Sequence, residues 1–153
     1  MHYLCFMNAN NEIADQLKLE NQACFPLYAL AREVVNAYRP LLEDLGLTYP
    51  QYLVLMVLWE RGPQTVNQLG IKLHLDSGTL TPLLKRLEAK VVLNRNRSSQ
   101  DERVVEVSLT PEGIALQKSA AKIPAQLIDA LKIDEGDLHQ LRQISCKILQ
   151  KIQ

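Results

Sequence analysis

The sequence contains few of the residues that characterise secreted, fibrous or membrane proteins. Its three cysteines, Cys5, Cys24 and Cys146, are far apart and form no C-x-x-C pair, which excludes a disulfide framework. Six glycines and seven prolines are too few for a disordered or loop-rich chain. The longest apolar run, residues 52–59, is too short to cross a bilayer, and the N-terminal residues lack a signal-peptide pattern. We therefore expect a reducing, cytoplasmic location without membrane contact.

The remaining composition indicates one globular domain. The chain has 153 residues, of which 47% are apolar, enough for a hydrophobic core. The three histidines are as scattered as the cysteines, so neither a metal site nor another cofactor is predicted. Met7 precedes a polar stretch and is an alternative native start, in which case residues 1–6, including Cys5, would not belong to the protein.

Helical periodicity dominates the first part of the chain. Apolar residues recur at intervals of three and four over residues 27–45. Pro26 suits the first helical position, where a missing N–H costs nothing, and Gly46 supplies a stop. Pro40 interrupts the pattern and predicts a kink or two shorter helices.

The next segments follow the helix-turn-helix pattern. An apolar run between Pro50 and the Gly62-Pro63 pair favours a helix buried all round over a buried strand. A shorter amphipathic helix and the turn "LHLDSG" follow, and Asp76 or Ser77 caps the next helix. Two helices joined by a tight turn, the second polar on its outer face, are typical of DNA-binding proteins. The second helix has an inner face of Leu80, Leu83, Leu84 and Leu87 and an outer face of Ser77, Thr79, Thr81, Lys85 and Arg86.

Beyond this helix the periodicity changes to two. The segment "NRNRSSQDERVVEVSL" predicts a β-hairpin whose charged tip contains "SSQDE". Residues 85–103 carry six basic and three acidic side chains, although the formal net charge of the whole chain is zero. The helix face could enter a major groove while Arg95, Arg97 and Arg103 reach phosphates or the minor groove. A solvated charged surface is the alternative interpretation.

Two helices are expected to complete the chain. Thr110 caps the first, Pro111 takes its first position, and Pro124 kinks it. The second begins near Asp134 or Asp137 and carries an apolar stripe. Together with the N-terminal helix, these elements hold more apolar surface than one small domain covers, which predicts a homodimer. The stripe consists of Leu138, Leu141, Ile144, Ile148 and Ile152.

The predicted fold class is therefore mainly α (α+β). Residues 1–153 form a single chain with a winged helix DNA-binding region over residues 48–113. Dimerisation helices are expected over residues 17–47 and 114–153, and a two-stranded β-wing projects from the centre.

Three segments carry a family resemblance. "RNRSSQDERVVEVSLTPEG" resembles the wing of MarR-type winged helix regulators, with its Arg-Ser, Asp-x-Arg and Leu-Thr-x-x-Gly. "LENQACFPLYALAREVVNAYRPLLEDLGLTYPQYLVLMVLWE" and "LDSGTLTPLLKRLE" resemble the organic hydroperoxide sensing OhrR branch. The resemblance is close over residues 19–113. It implies a dimeric repressor of a peroxide-detoxification gene that releases double-stranded operator DNA when an organic hydroperoxide, its inducer, oxidises one cysteine.

The resemblance also implies residue roles. By motif position, Cys24 matches the reactive cysteine, and Tyr38 and Tyr49 match tyrosines that hydrogen-bond its thiolate from the partner subunit. Tyr28 matches a third tyrosine that lines the site. In the wing, Arg103 matches an arginine that enters the minor groove, with Asp101 bracing it.

Two departures from the family pattern affect the expected chemistry. Pro26 replaces an ordinary helix former beside the sensor cysteine. The two-cysteine subgroup has a resolving cysteine in the first C-terminal helix, but the matching stretch "AQLIDALK" contains none. Cys146 lies well beyond it, so a one-cysteine mechanism with a low-molecular-weight thiol as partner is favoured. Cys146 remains the alternative resolving thiol and is otherwise structural.

The residues themselves support a reactive Cys24. If the helix begins at Pro26, Cys24 lies just outside its N-terminus, where the dipole and free N–H groups favour thiolate. The thiolate attacks a peroxide oxygen and becomes sulfenic acid. Phe25 and Leu27 nearby would favour apolar hydroperoxides. A buried, inert cysteine and interface tyrosines are the ordinary alternatives.

Two other functions are compatible with the sequence. One is a MarR-type regulator released by a small aromatic ligand without redox chemistry. The other is a thiol peroxidase, although no arginine close to Cys24 forms an evident peroxide-activating pair and only Arg32 and Arg39 could approach in space. We favour a regulator that is not an enzyme.

Overall fold

The structure is a computed structural model that describes residues 15–98 and 100–152. The expectations for Cys5 and Met7 lie outside these residues. The chain divides into two compact units, Met1–Val34 and Val35–Gln153. Within the described ranges, no helix is long and apolar enough to cross a membrane.

The described part of the first unit contains two single turns of 3₁₀ helix and the start of helix α1. The turns comprise Asp15–Leu17 and Leu19–Asn21, and α1 comprises Cys24–Glu43. Cys24 is thus the first residue of α1, and the predicted start at Pro26 is wrong. Proline is tolerated throughout the first helical turn because the N–H groups there have no intrahelical partner.

The second half of α1 agrees with the sequence signals at Gly46 but not at Pro40. The helix passes Pro40 without interruption and ends at Glu43, so the predicted division into two helices is wrong. Gly46 has a φ of 62° and its N–H donates to the carbonyl of Glu43 over 2.8 Å. The predicted stop at Gly46 is confirmed, because glycine adopts this left-handed conformation without a steric penalty.

The second unit contains the expected winged helix. Its helices and strands are α2 (Tyr49–Arg61), β1 (Gln64–Thr65), α3 (Val66–Leu73), α4 (Ser77–Ala89), β2 (Leu93–Arg97) and β3 (Val105–Leu109). The predicted hairpin is confirmed, and β3 lies between the other two strands in an antiparallel sheet of order β1-β3-β2. The predicted two-stranded β-wing is formed by β2 and β3. The third strand, β1, has no counterpart among the predicted strands, because two residues are too short to produce a periodic signal.

Polar residues cap α2, α3 and α4, and of these caps the sequence predicts the one at Asp76. The N–H of Thr48 donates to the side-chain oxygen of Gln51 over 3.0 Å. The Thr65 hydroxyl accepts from the N–H of Gln68 over 3.1 Å, and the Asp76 carboxylate accepts from that of Thr79 over 2.8 Å. Such caps satisfy N–H groups that have no partner within the helix.

The hydrophobic core lies between α2, α4 and the sheet. The inner face of α4 is buried as predicted, and α2 contributes residues from most of its circumference, although Met56 is exposed. The fully covered side chains are Leu42, Val54, Leu55, Leu69, Leu80, Leu84, Leu87 and Val107. This core fixes α4, the second or recognition helix of the helix-turn-helix, against α2 and α3.

Three C-terminal helices follow instead of two. They are α5 (Pro111–Ala120), α6 (Ile123–Leu131) and α7 (Glu135–Leu149). Pro124 stands near the start of α6, where its missing N–H is harmless, so the predicted kink is a break between helices. The caps at Thr110 and Asp134 are confirmed, since their side chains accept from the N–H groups of Gly113 and Asp137.

Candidate DNA-binding surface and redox site

The outer face of α4 is polar and exposed. Hydrogen bonds from the backbone and hydroxyl of Thr79, both 2.8 Å, lower the pKa of the Asp76 carboxyl. The Thr81 hydroxyl donates to the carbonyl of Ser77 over 2.7 Å. These bonds stiffen the first turn of the helix that is expected to enter the major groove. All five predicted contact residues are exposed, namely Ser77, Thr79, Thr81, Lys85 and Arg86.

Arg95 joins the wing to the recognition helix. Its Nε and one terminal nitrogen each lie 2.9 Å from the same carboxylate oxygen of Glu88. The Arg95 side chain is only 21% exposed, and Glu88 belongs to α4. The structure therefore places Arg95 as a brace between β2 and α4, because its charge is already paired. The sequence pattern gave no signal for this pairing.

The other two wing arginines are Arg97 on β2 and Arg103 in the turn before β3. Arg97 and Arg103 are exposed, and within residues 15–98 and 100–152 no ion pair holds either guanidinium. Asp101 accepts a 3.0 Å hydrogen bond from the backbone N–H of Arg103. The carboxylate thus shapes the turn that presents Arg103, whereas the resemblance implied a brace for the arginine itself.

A groove of about 990 Å³ separates the helix-turn-helix from the wing. Its lining includes the apolar residues Ile71, Leu80 and Val105 and the two arginines Arg95 and Arg103. Because Arg95 is already paired with Glu88, it is Arg103 whose charge on this concave surface suits contact with the DNA backbone.

Cys24 is an exposed, free cysteine at the first position of α1. One helical turn later, the Tyr28 hydroxyl accepts a 3.4 Å hydrogen bond from Arg32, whose guanidinium carbon lies 5.6 Å from the centre of the tyrosine ring. The first turn supplies backbone N–H groups without intrahelical partners, which favour negative charge. Cys146, the other described cysteine, is also free and exposed, on α7.

Tyr38 and Tyr49 belong to an aromatic row in the second unit. Their rings stack with centroids 4.4 Å apart, and the Tyr52 ring lies 5.9 Å from that of Tyr38. Burial, reinforced by Tyr49 and Tyr52, raises the pKa of Tyr38 to about 12. Burial also raises the pKa of Tyr49. Both hydroxyls therefore stay protonated at neutral pH and can donate hydrogen bonds.

The row continues to a residue that sequence reasoning missed. The Trp59 ring lies 6.1 Å from that of Tyr52, and its indole N–H donates to the carbonyl of Gly113 over 2.9 Å. Trp59 is the only tryptophan in the sequence, which is the one signal that could have singled it out.

Known proteins with this arrangement are transcriptional regulators. The family model described as "Transcriptional regulator SarA/Rot" matches residues 36–120. The organic hydroperoxide resistance transcriptional regulator of Bacillus subtilis is 47% identical over 138 residues, which span 90% of this chain and 94% of that protein. The regulator SarZ of Staphylococcus aureus is 39% identical over 119 residues, or 78% of this chain and 80% of that protein.

Solved structures show the same fold. A structure of reduced AbfR bound to DNA superposes with a TM-score of 0.75 at 34% identity and covers 92% of this chain and 100% of that one. A structure of disulfide-formed AbfR gives a TM-score of 0.60 at 36% identity, covering 88% of this chain and 94% of that one. A structure of AbfR from Staphylococcus epidermidis gives 0.73 at 35% identity, with coverages of 90% and 95%.

Fold and surface together define a winged helix DNA-binding transcriptional regulator. More narrowly, the chain belongs to the MarR family, in the organic hydroperoxide sensing OhrR branch. The family resemblance of the wing and of the segment around Cys24 is thereby confirmed.

Proposed function

We propose that this protein is a repressor that senses organic hydroperoxides by oxidation of Cys24 and then releases its operator. The observation that carries the proposal is the exposed, free Cys24 at the first position of α1. The name of the Bacillus subtilis relative supports the inducer class. Reduced, overoxidized and disulfide-formed structures of AbfR support redox control in a relative.

The chemistry of sensing is a two-electron oxidation of sulfur. The Cys24 thiolate attacks the terminal oxygen of the hydroperoxide, an S–O bond forms and the O–O bond breaks. The alkoxide that leaves takes a proton from solvent and becomes an alcohol, while Cys24 becomes a sulfenic acid. A low-molecular-weight thiol then displaces water and forms a mixed disulfide, or Cys146 does so and forms a protein disulfide.

The tyrosines connect this chemistry to the dimer. In the proposed homodimer, Tyr38 and Tyr49 of one subunit donate hydrogen bonds to the thiolate of the other, and Tyr28 lines the site. Oxidation replaces the anionic acceptor with a neutral, bulkier group, so these bonds are lost and the half-site spacing changes. Release requires a coupling of about 2–3 kcal/mol, within the usual range for allosteric proteins.

The exposed apolar stripe of α7 supports a homodimer. Ile144 and Ile148 are 57% and 49% exposed in the single chain. The predicted stripe includes Ile152 as well, but α7 ends at Leu149, so Ile152, 73% exposed, lies beyond the helix. Ile148→Glu should shift the protein to monomer in light scattering, since a charge at a covered interface is costly. Gln143→Glu, on the opposite face of the helix, is the matched control and should remain dimeric.

The functional proposal is tested by Cys24→Ser. Duplexes selected from a random library by the reduced protein serve as operator probes. The variant should bind them as the wild type does and ignore cumene hydroperoxide, because it has no sulfur to oxidise. Release of the variant by the peroxide would disprove the proposal.

One observation favours the alternative function, a regulator released by a small aromatic ligand. An apolar groove of about 470 Å³ in the second unit is lined by Tyr52, Met56, Trp59 and Leu73, with Lys72 also present. Its size and lining suit an aromatic carboxylate. This alternative predicts that Cys24→Ser responds normally and that a phenolic acid without oxidising power releases DNA.

A further inference from the structure

We propose that Trp59 is a positioning residue that couples the tyrosine site to the wing. Its hydrogen bond to Gly113 stabilises the DNA-binding arrangement and is lost when Cys24 is oxidised. The inference rests on the proposed function and adds to it the route by which the sensor acts on the DNA-binding surface.

The first part of the route is the aromatic row. Successive centroids from Tyr49 through Tyr38 and Tyr52 to Trp59 are 4.4, 5.9 and 6.1 Å apart, the spacing of rings in direct contact. Tyr52 is only 3% exposed. Because close-packed interiors deform little, a shift of Tyr38 has to displace Tyr52 and with it the indole of Trp59.

The second part is the contact of α5 with the turn before β2. The Trp59 N–H has its acceptor at Gly113, where an added Cβ would lie 2.1 Å from the carbonyl oxygen of Val92. The Thr110 hydroxyl donates to the carbonyl of Val91 over 2.7 Å, and the Thr110 N–H donates to that of Val92 over 3.1 Å. The start of α5 and the base of the wing therefore move together.

The third part is the wing itself. Val92 directly precedes β2, and Arg95 of β2 is paired with Glu88 of the recognition helix. A displacement of Gly113 thus reaches the strand that fixes the wing against α4. All of these contacts lie within the second unit.

Tryptophan fluorescence tests the link directly, because Trp59 is the only tryptophan in the chain. Treatment of the wild-type protein with cumene hydroperoxide should shift the emission, since the indole N–H loses its acceptor. Cys24→Ser should show no shift. Unchanged emission from oxidised wild-type protein that has released DNA would overturn the inference.

Trp59→Phe provides the quantitative test, because phenylalanine keeps the ring and lacks the N–H. One neutral hydrogen bond corresponds to roughly a fivefold change in an equilibrium constant. The reduced variant should therefore bind the selected duplex roughly fivefold more weakly. The affinity of the oxidised variant should be unchanged, so its ratio of reduced to oxidised affinity should be roughly fivefold smaller.

Two controls separate coupling from stability. Val57→Ala removes buried side-chain volume outside the aromatic row and should lower the melting temperature without changing the affinity ratio. Intact mass spectrometry should show that Trp59→Phe still oxidises at Cys24. The coupling through Trp59 would be refuted, and the sensing function left standing, by either of two results. One is a ratio of reduced to oxidised DNA affinity in Trp59→Phe that equals the wild-type ratio, and the other is an equally large fall of this ratio in Val57→Ala. Failure of the wild type to release DNA would refute the sensing function as well.

Discussion

Tyr38 of α1 and Tyr49 of α2 stack with their ring centroids 4.4 Å apart and their planes inclined by 29°. The pair joins the end of one helix to the start of the next within the second unit. Each ring restricts the other, so the two hydroxyls are held as a pair of donors. A sensor that responds to the loss of a thiolate's negative charge requires hydrogen-bond donors that are already fixed in place around the thiolate.

We expect the Tyr38 hydroxyl to remain protonated well above pH 10. Burial raises its pKa from 10.0 to about 12, so the unfolded protein loses this proton first as the pH rises. The contribution of the protonated Tyr38 hydroxyl to the free energy of unfolding is therefore fully present below pH 10 and declines as the pH approaches 12. Spectrophotometric titration should show a late phenolate transition that is missing in Tyr38→Phe. If every tyrosine of the wild type titrated near pH 10, this assignment would be contradicted.

Arg103 and Arg95 should respond differently to salt. Arg103 has no ion-pair partner among the described residues, so Arg103→Gln should reduce the slope of log affinity against log salt by about 1 per wing. Arg95 is paired with Glu88, so the double variant Glu88→Gln/Arg95→Gln leaves the net charge unchanged. It should weaken binding, because the brace between β2 and α4 is lost, while the slope of log affinity against log salt stays that of the wild type. Fluorescence anisotropy at several salt concentrations distinguishes the two. Equal slopes for Arg103→Gln and the wild type would exclude Arg103 from the interface.

Val91 should be a site of simple stabilisation. It follows the C-cap of α4 with a φ of 59°, and its side chain is 59% exposed. Val91→Gly removes the steric penalty of about 1–2 kcal/mol that a Cβ has in the left-handed backbone region. Glycine also makes the unfolded chain more flexible, which offsets about 0.4–1 kcal/mol of this gain. We therefore expect a gain of about 1 kcal/mol in the free energy of unfolding. Val91→Ala is the control: it retains a Cβ at positive φ, so a gain as large as that of glycine would disprove the explanation.

The winged helix could be predicted because its signals are local. The caps at Asp76 and Thr110 and the apolar spacing of α4 lie within a few residues of the elements they define. The start of α1 at Cys24 could not be predicted, since proline fits any position of a first turn. Likewise, a proline at position 124 is compatible both with a kink in one helix and with the start of a new one, so the sequence could not predict that α6 is a separate helix.

The contacts between distant residues were beyond the reach of sequence patterns. The pairing of Arg95 with Glu88 and the bond from Trp59 to Gly113 depend on how helices and strands pack. From the sequence alone, Arg95 is equivalent to Arg97 as a DNA ligand, and Trp59 is one residue of an apolar run. Both assignments required the tertiary structure, because an apolar or basic residue type does not specify its partner.

In the proposed mechanism, oxidation of Cys24 releases DNA. This step is tested most directly by measuring duplex binding and intact mass on the same samples of wild type and Cys24→Ser, before and after stoichiometric cumene hydroperoxide. We predict that the wild type gains oxygen or a disulfide at Cys24 and loses affinity in proportion, while Cys24→Ser retains both its mass and its affinity. Release of unoxidised wild type, or release of Cys24→Ser, would contradict the proposed mechanism.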